Sequence, residues 1–228
     1  MSWQLMSDHY YFGAMMLASG YVDALVGGFN RPYTRAVKPI LEAVGVASNQ
    51  TLAGVYMIVH ESKIFFFSDC TINIDPSAEQ LAEIAISTAE TASKYVNTPV
   101  RVALLNYSSF GSSTHPMALK VKKAVGILRV KAPHLEVDGE MQVDIALDSE
   151  LRQEEAPFCS LTGDANVLIF PDLASANIGY KLLTKIASAT PTGPILVGVN
   201  KPANIVQRGA SVSEIVNMVY VSAHQIIS

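Results

Sequence analysis

The stretch GPILVGVNKPANIVQRGASVSEIVNM, residues 193–218, decides how the chain folds. It begins with an apolar run typical of a strand buried in a parallel sheet, and SVSEIVNM begins a predicted helix. Between them lies a polar segment that carries Lys201 and Arg208 and is predicted as a loop. This loop has three interpretations: an acyl-transfer active site, a site that only binds an acylated anion, or a polar connection without chemistry.

Strands and helices alternate along the rest of the chain, as expected for an α/β fold. The runs LAGVYMIV and KIFFFS, joined by HES, predict an antiparallel strand pair. Asp75 and Pro76 predict the cap and first position of a helix. The sequence therefore predicts a three-layer α/β/α fold with a mostly parallel sheet, in two lobes, approximately 1–97 and 98–228, around a cleft. The other predicted elements are strands at 23–28, 100–105 and 165–171 and helices at 34–44, from residue 116, and at 178–188.

Composition excludes several classes of protein. Half of the 228 residues are hydrophobic, so disorder is not expected. A net charge of -4 with scattered basic residues argues against nucleic acid or a membrane surface as partner. The apolar runs are too short to span a bilayer, and no secretory signal is expected. Cys70 and Cys159 fit no metal or CxxC spacing, which indicates a reduced, cytoplasmic setting.

A second candidate site is the loop NYSSFGSSTHP, residues 106–116. It is rich in hydroxyl groups and precedes a helix, so its backbone N–H groups and serines could bind a phosphate or carboxylate. The alternative is an ordinary polar loop in which Ser113 or Thr114 caps the helix.

In the opening stretch, Lys201 and Arg208 could neutralise a phosphate or polarise a thioester carbonyl. Glu214 could act as a base, but the spacing from Ser211 to Glu214 is that of a capping box, which is the favoured interpretation. Cys70 ends a hydrophobic strand without a neighbouring base, so a buried, inert thiol is predicted.

Acidic clusters give weaker signals. Asp69, Asn73 and Asp75 could line a cleft or form turns. DGEMQ, residues 138–142, could bind Mg²⁺ or do acid–base work, although its composition also suits a turn. The five histidines form no zinc-binding pattern, and no metal site is predicted.

Seven motifs occur in an order that resembles the phosphate acetyltransferase/butyryltransferase family. They are YFGAMM, DALVGG, FFFSDCTINIDPSAEQLAEIA, LNYSSFGSSTHP, EVDGEMQ, ANVLIFPDLASANIGYKLL and the opening stretch. The forms EVDGEMQ, VNKP followed by QRG, and IVNM are most similar to the phosphotransacetylase-like C-terminal domain of bacterial NADP-dependent malic enzymes. The resemblance implies an isocitrate/isopropylmalate dehydrogenase-like fold and a domain truncated by about 100 residues at its N-terminus.

The family motif reads NKPxNxLSRG with an acid seven positions after the serine, and the resemblance transfers these roles to this chain. Arg208 would stabilise the oxyanion and Glu214 would take the thiol proton. Gln207 stands in place of the serine and Glu214 in place of an aspartate, while Lys38 replaces a common arginine. These departures weaken catalysis more than binding. The residues expected to bind the ligand are Ser108, Ser112, Ser113, Lys201, Gln207 and Arg208.

We therefore predict an acetyl-CoA-sensing regulatory and oligomerisation domain of a malic enzyme. Its partners would be acetyl-CoA, the malic enzyme catalytic domain and further copies of the chain. No cofactor is expected in this domain, since NADP and Mg²⁺ or Mn²⁺ would belong to the malic enzyme part. The alternative is an active phosphate acetyltransferase that uses Arg208 and Glu214. A purely structural dimerisation module is a third possibility.

Overall fold

The computed structural model describes residues 2–227, with side chains from Gln4 onward. Its helices are α1 (Ser2–Met6), α2 (His9–Ala18), α3 (Tyr33–Ala43), α4 (Ala78–Ser93), α5 (Pro116–Lys131), α6 (Val143–Leu147), α7 (Ser149–Glu155), α8 (Leu173–Ile186) and α9 (Val212–Ile227). Its strands are β1 (Leu25–Gly28), β2 (Ala53–His60), β3 (Lys63–Ser68), β4 (Arg101–Leu105), β5 (Glu136–Met141), β6 (Val167–Ile169), β7 (Thr190–Val197) and β8 (Ala203–Val206).

Six strands form the central sheet in the order β5-β4-β6-β3-β2-β7. Strands β5, β4, β6 and β3 are parallel, and β2 is antiparallel to both of its neighbours, β3 and β7. Every strand except β2 therefore runs in one direction. Strands β1 and β8 form a separate two-stranded parallel sheet. The predicted α/β fold with a mostly parallel sheet is confirmed, and so is the antiparallel pair β2–β3.

Helices cover both faces of the central sheet. Val102 and Leu104 of β4 join the core that includes α4, α5 and α9, whereas Ala103 and Leu105 join the core that includes α6 and α8. This alternation follows from the two-residue period of a strand. Because both faces are buried, β6 and the part of β4 after Arg101 are continuous apolar runs, which is the pattern from which they were predicted.

A third core joins the small sheet to its surroundings. It contains Leu17 of α2, Ile40 of α3, Leu196 of β7 and Ile205 of β8. The lobe boundary between residues 97 and 98 stays a prediction, and the parallel pairing of β3 with β6 crosses it.

Two local predictions are wrong. Helix α4 is capped by Ser77, whose side chain accepts from the Gln80 N–H while the Gln80 side chain accepts from the Ser77 N–H. Asp75 forms an ion pair with Lys120 instead, with 2.6 Å between Nζ and Oδ1. The DGEMQ segment belongs largely to strand β5, where the ladder with β4 satisfies its backbone and outweighs its turn-like composition.

Helix α8 begins five residues before its predicted start, because Asp172 caps it by accepting from the Ser175 N–H at 2.8 Å. Within residues 2–227, no helix has the length and apolarity that crossing a membrane requires.

Candidate functional site

The segment predicted as one loop after β7 contains strand β8. Leu25 of β1 lies opposite Ala203, and Gly28 lies opposite Val206. All four residues of β8 are buried. A run as short as ANIV gives no periodicity that separates a strand from a loop. The prediction of a continuous loop is therefore wrong, and the strand separates two basic residues that the sequence placed together.

Lys201 lies two residues before β8 and Arg208 lies two residues after it. Seven mostly extended residues place the two Cα atoms roughly 20 Å apart. The Lys201 ammonium donates to the carbonyl oxygens of Leu17 at 2.8 Å and Ala18 at 3.3 Å, at the C-terminal end of α2. A cation stabilises this end of a helix. The structure does not bring Lys201 and Arg208 together, and a ligand-binding role of Lys201 stays a prediction.

The segment from Gln207 to Ser211, named here the Arg208 loop, begins where β1 and β8 end side by side. Gly28 has a φ of +109°, and a Cβ atom at this position would lie 2.2 Å from the Val206 carbonyl oxygen. Glycine is therefore required for the close approach of the two strands. The Gly209 N–H donates to the Phe29 carbonyl at 3.2 Å, so the loops after β1 and β8 pack together.

Arg208 is the exposed cation of this loop. Its guanidinium makes no hydrogen bond or ion pair with any described residue. By contrast, Arg101 and Arg129 pair with Glu136 and Asp138 at 3.1 and 2.7 Å. An unpaired guanidinium at the ends of parallel strands is suited to bind phosphate or carboxyl oxygens.

Glu214 forms the predicted capping box at the start of α9. Its Oε2 accepts from the backbone N–H and the hydroxyl of Ser211, each at 2.7 Å, and the Glu214 N–H donates to the Ser211 hydroxyl at 3.3 Å. The Oε1 atom has no hydrogen bond within the part of the chain that the structure describes. The cap therefore uses one carboxylate oxygen, and a catalytic role of Glu214 stays a prediction.

Gln207 contacts two residues that the sequence analysis missed. Its Nε2 donates to the hydroxyls of Tyr56 on β2 at 2.6 Å and Tyr180 on α8 at 3.3 Å. The two tyrosine rings are stacked, with centroids 4.3 Å apart. They lie 151 and 27 residues from Gln207 along the chain, so no local motif could have revealed them.

Two more hydroxyl groups lie buried near this cluster. Tyr33 Oη and Thr71 Oγ1 face each other, and neither has a well-formed hydrogen bond to a described residue. Burial raises the pKa of Tyr33, and burial followed by the neighbouring Tyr180 raises the pKa of Tyr56. Both shifts favour the neutral phenol, which can donate and accept hydrogen bonds.

The turn after β3 uses its acidic residue for structure. Asp69 is buried and accepts from the N–H groups of Gly54, Thr71 and Asn73 at 2.7–2.9 Å. The adjacent Cys70 is also buried, and this burial raises the pKa of its thiol. The turn interpretation of Asp69 and the prediction of a buried Cys70 therefore agree with the geometry.

The segment from Asn106 to His115, named here the Gly111 loop, uses most of its polar groups internally. Ser112 accepts from the Ser109 N–H at 3.1 Å, and Ser113 accepts from the His115 N–H at 3.2 Å. His115 caps α5, so the prediction that Ser113 or Thr114 is the cap is wrong. Ser108 is buried, with no hydrogen bond from its hydroxyl to residues 2–227. Ligand binding by Ser108, Ser112 and Ser113 stays a prediction.

Two carboxyl groups of β5 form hydrogen bonds with neighbouring residues, and that of Glu140 contacts the Gly111 loop. Asp138 accepts from Arg129, from the Gly139 N–H and from both donors of Ser160. Glu140 accepts from the Gly111 N–H at 2.5 Å, and its other oxygen is buried without a partner in the described chain. No group of three or more His, Cys, Asp or Glu residues within positions 2–227 is arranged to hold a metal ion.

Comparison with known proteins connects this geometry to one family. Residues 1–223 match the model described as phosphate acetyl/butaryl transferase. The phosphate acetyltransferase of Clostridium acetobutylicum is 40% identical over 229 residues, which cover 97% of this chain and 69% of that protein. That of Bacillus subtilis is 37% identical over 219 residues, 96% of this chain and 68% of that protein. A phosphotransacetylase structure from Streptococcus pyogenes matches with a TM-score of 0.94 at 37% identity, over 98% of this chain and 69% of that chain.

These matches overturn one prediction from the sequence. The interpretation as a regulatory domain of a malic enzyme is wrong, because relatives at 37–40% identity are phosphate acetyltransferases by name. The expected malic enzyme partner and the association with NADP and oxidoreductase chemistry have no support in them. The resemblance to the acetyltransferase/butyryltransferase family itself is confirmed.

Proposed function

This chain belongs to the phosphate acetyl/butaryl transferase family, and on that premise we propose that it is a phosphate acetyltransferase. It exchanges an acetyl group between coenzyme A and phosphate. Acetyl-CoA is the expected substrate of enzymes with this name.

The observation that carries this proposal is the unpaired guanidinium of Arg208. It lies at the ends of two parallel strands and directly before α9, whose N-terminal N–H groups add partial positive charge. Arg208 matches the arginine of the family motif. A planar guanidinium binds phosphate or carbonyl oxygens through two parallel hydrogen bonds.

The proposed reaction needs one base and one cation. Glu214 accepts the proton of the coenzyme A thiol, and the thiolate sulfur attacks the acetyl carbon of acetyl phosphate. The S–C bond forms, the C–O bond to phosphate breaks, and phosphate leaves with that electron pair. Arg208 stabilises the negative charge that develops on the carbonyl oxygen. Because the capping box holds only Oε2 of Glu214, Oε1 is available as the proton acceptor.

An acetyl-transfer assay with the purified chain tests this function. Acetyl-CoA formation from acetyl phosphate and coenzyme A is measured, together with the reverse reaction with and without phosphate. Wild type should turn over in both directions. Glu214→Gln should lose roughly 10²- to 10⁴-fold in kcat with its melting temperature retained, because glutamine also completes a capping box. Absence of phosphate-dependent turnover in wild type would contradict the proposal.

We also propose that the chain forms a homo-oligomer. Helix α8 exposes Ile178, Leu182 and Ile186 at intervals of four residues, which places them on one stripe. Exposed apolar stripes of this kind mark protein interfaces. Sedimentation should show an oligomer for wild type and a smaller species for Leu182→Glu, whereas a monomeric wild type would contradict this.

A further inference from the structure

Two buried tyrosines anchor one end of the Gln207 side chain. Tyr56 and Tyr180 are each 4% exposed, and their rings stack at an angle of 15°. Both hydroxyls accept from Nε2 of Gln207, which is only partly buried. The Oε1 atom of Gln207 has no hydrogen bond to any described residue and is accessible to solvent. The carboxamide is therefore fixed at its nitrogen and open at its oxygen.

The anchor belongs to the rigid part of the molecule. Tyr56 lies on β2 within the central sheet, and Tyr180 lies on α8, a helix that packs against one face of that sheet. Both contribute to the core that includes α8. Gln207, by contrast, lies in the Arg208 loop between β8 and α9. The two hydrogen bonds thus tie the candidate site to the central sheet, and a side chain held in this way loses little entropy when it binds a ligand.

The open oxygen selects the kind of group that can bind. A carboxamide oxygen accepts hydrogen bonds and cannot donate them. The oxygens of an ionised phosphate are also acceptors, so they cannot form a hydrogen bond with the Oε1 atom of Gln207. Coenzyme A offers donors near its reacting end, namely the thiol S–H and the amide N–H groups of the arm that carries it.

We propose that Tyr56 and Tyr180 are positioning residues, which orient Gln207 so that its Oε1 accepts a hydrogen bond from coenzyme A beside Arg208. This inference rests on the proposed function. The two residues of the loop then bind different parts of the substrates. Arg208 binds the acyl or phosphate oxygens, and Gln207 binds the thiol-bearing arm of coenzyme A.

Steady-state kinetics of Tyr56→Phe and Tyr180→Phe test the proposal. Each variant should raise the KM for coenzyme A about 3- to 10-fold, the effect of one hydrogen bond, while the KM for acetyl phosphate changes less than about twofold. Tyr56→Phe should add no further effect to Gln207→Ala, because Tyr56 acts only through Gln207. Tyr95→Phe is the matched control, since its hydroxyl donates to the Val221 carbonyl at 3.4 Å, in the core on the opposite face of the sheet.

A second measurement does not depend on turnover. In ¹⁵N-labelled protein, the side-chain amide protons of Gln207 should exchange with solvent faster in Tyr56→Phe and Tyr180→Phe than in wild type and Tyr95→Phe. Faster exchange in the two tyrosine variants, combined with a wild type that shows no turnover, would support the anchoring and overturn the proposed function alone. An unchanged KM for coenzyme A in the folded double tyrosine variant of an active enzyme would overturn the positioning role alone.

Discussion

The Gly111 loop and the Arg208 loop each connect a strand to a helix, and each contains glycine and several polar residues. In the Gly111 loop, Ser112 and Ser113 accept from backbone N–H groups of the same loop, and the Gly111 N–H donates to Glu140. In the Arg208 loop, Arg208 pairs with no described residue.

The difference teaches that composition alone does not identify an anion-binding loop. Hydroxyl groups and glycines support a tight turn as well as they support a ligand. The informative property is which polar groups remain unused once the loop has folded. The Gly111 loop leaves the neutral Ser108 hydroxyl unpaired, whereas the Arg208 loop leaves a cation unpaired, so the Arg208 loop is the stronger candidate for an anion. We give the predictions that test this contrast from the largest expected effect to the smallest.

Arg208→Gln should lower kcat/KM for acetyl transfer roughly 10²- to 10³-fold, because it removes the donor that stabilises the oxyanion. Ser113→Ala in the Gly111 loop should change it less than about twofold. Lys185→Gln removes a positive charge from an exposed position of α8 and serves as the control. Equal losses of kcat/KM in Arg208→Gln and Ser113→Ala would contradict the conclusion that the Arg208 loop, and not the Gly111 loop, binds the anion.

Gly28→Ala should destabilise the fold by about 2–4 kcal/mol, because the new Cβ would meet the Val206 carbonyl and φ is positive. Gly111 also has a positive φ, but the Cβ atom introduced by Gly111→Ala would meet only the flexible end of the Lys122 side chain, 3.1 Å away. We expect about 1 kcal/mol there. Urea denaturation of both variants gives the comparison, and a larger loss in Gly111→Ala would contradict the described geometry.

Ser211→Ala should cost about 1 kcal/mol, because it removes the side-chain half of the capping box of α9. His115→Ala should cost less, since the His115 ring makes a single cap hydrogen bond, from the Met117 N–H at 3.3 Å, whereas the Ser211 hydroxyl makes two hydrogen bonds with Glu214. Thermal unfolding of the two variants measures both caps, and a stabilised Ser211→Ala would show that the capping box is absent in solution.

The smallest expected effect is a loss of stability at acidic pH. It arises from an ion pair outside both loops, between Glu79 and Lys123. The Lys123 ammonium, 2.6 Å from Glu79, holds the pKa of Glu79 at about 2 instead of 4.5. A lowered folded-state pKa gives stability that is complete above pH 4.5 and is lost as the pH falls towards 2. Glu79→Gln should therefore flatten the pH dependence of the melting temperature in this range, and an identical profile would contradict the ion pair.

Local patterns predicted much of the fold, since β2, β3, β4 and β6 have clear apolar runs and Pro116 begins α5 as expected. Strand β5 could not be predicted, because only its ladder with β4 decides between strand and turn. Strand β8 is too short for periodicity to show. Arg208 was recognisable from its motif, whereas the contacts of Gln207 with Tyr56 and Tyr180 depend on the tertiary fold.

The central claim is that phosphate binds at the Arg208 loop, and a titration of the ¹⁵N-labelled chain with inorganic phosphate tests it most directly. We predict that the largest chemical-shift changes occur at the backbone amides of residues 207–211, with smaller ones at residues 28–31 of the adjoining loop. Saturable changes at residues 108–113, with none at residues 207–211, would contradict the account.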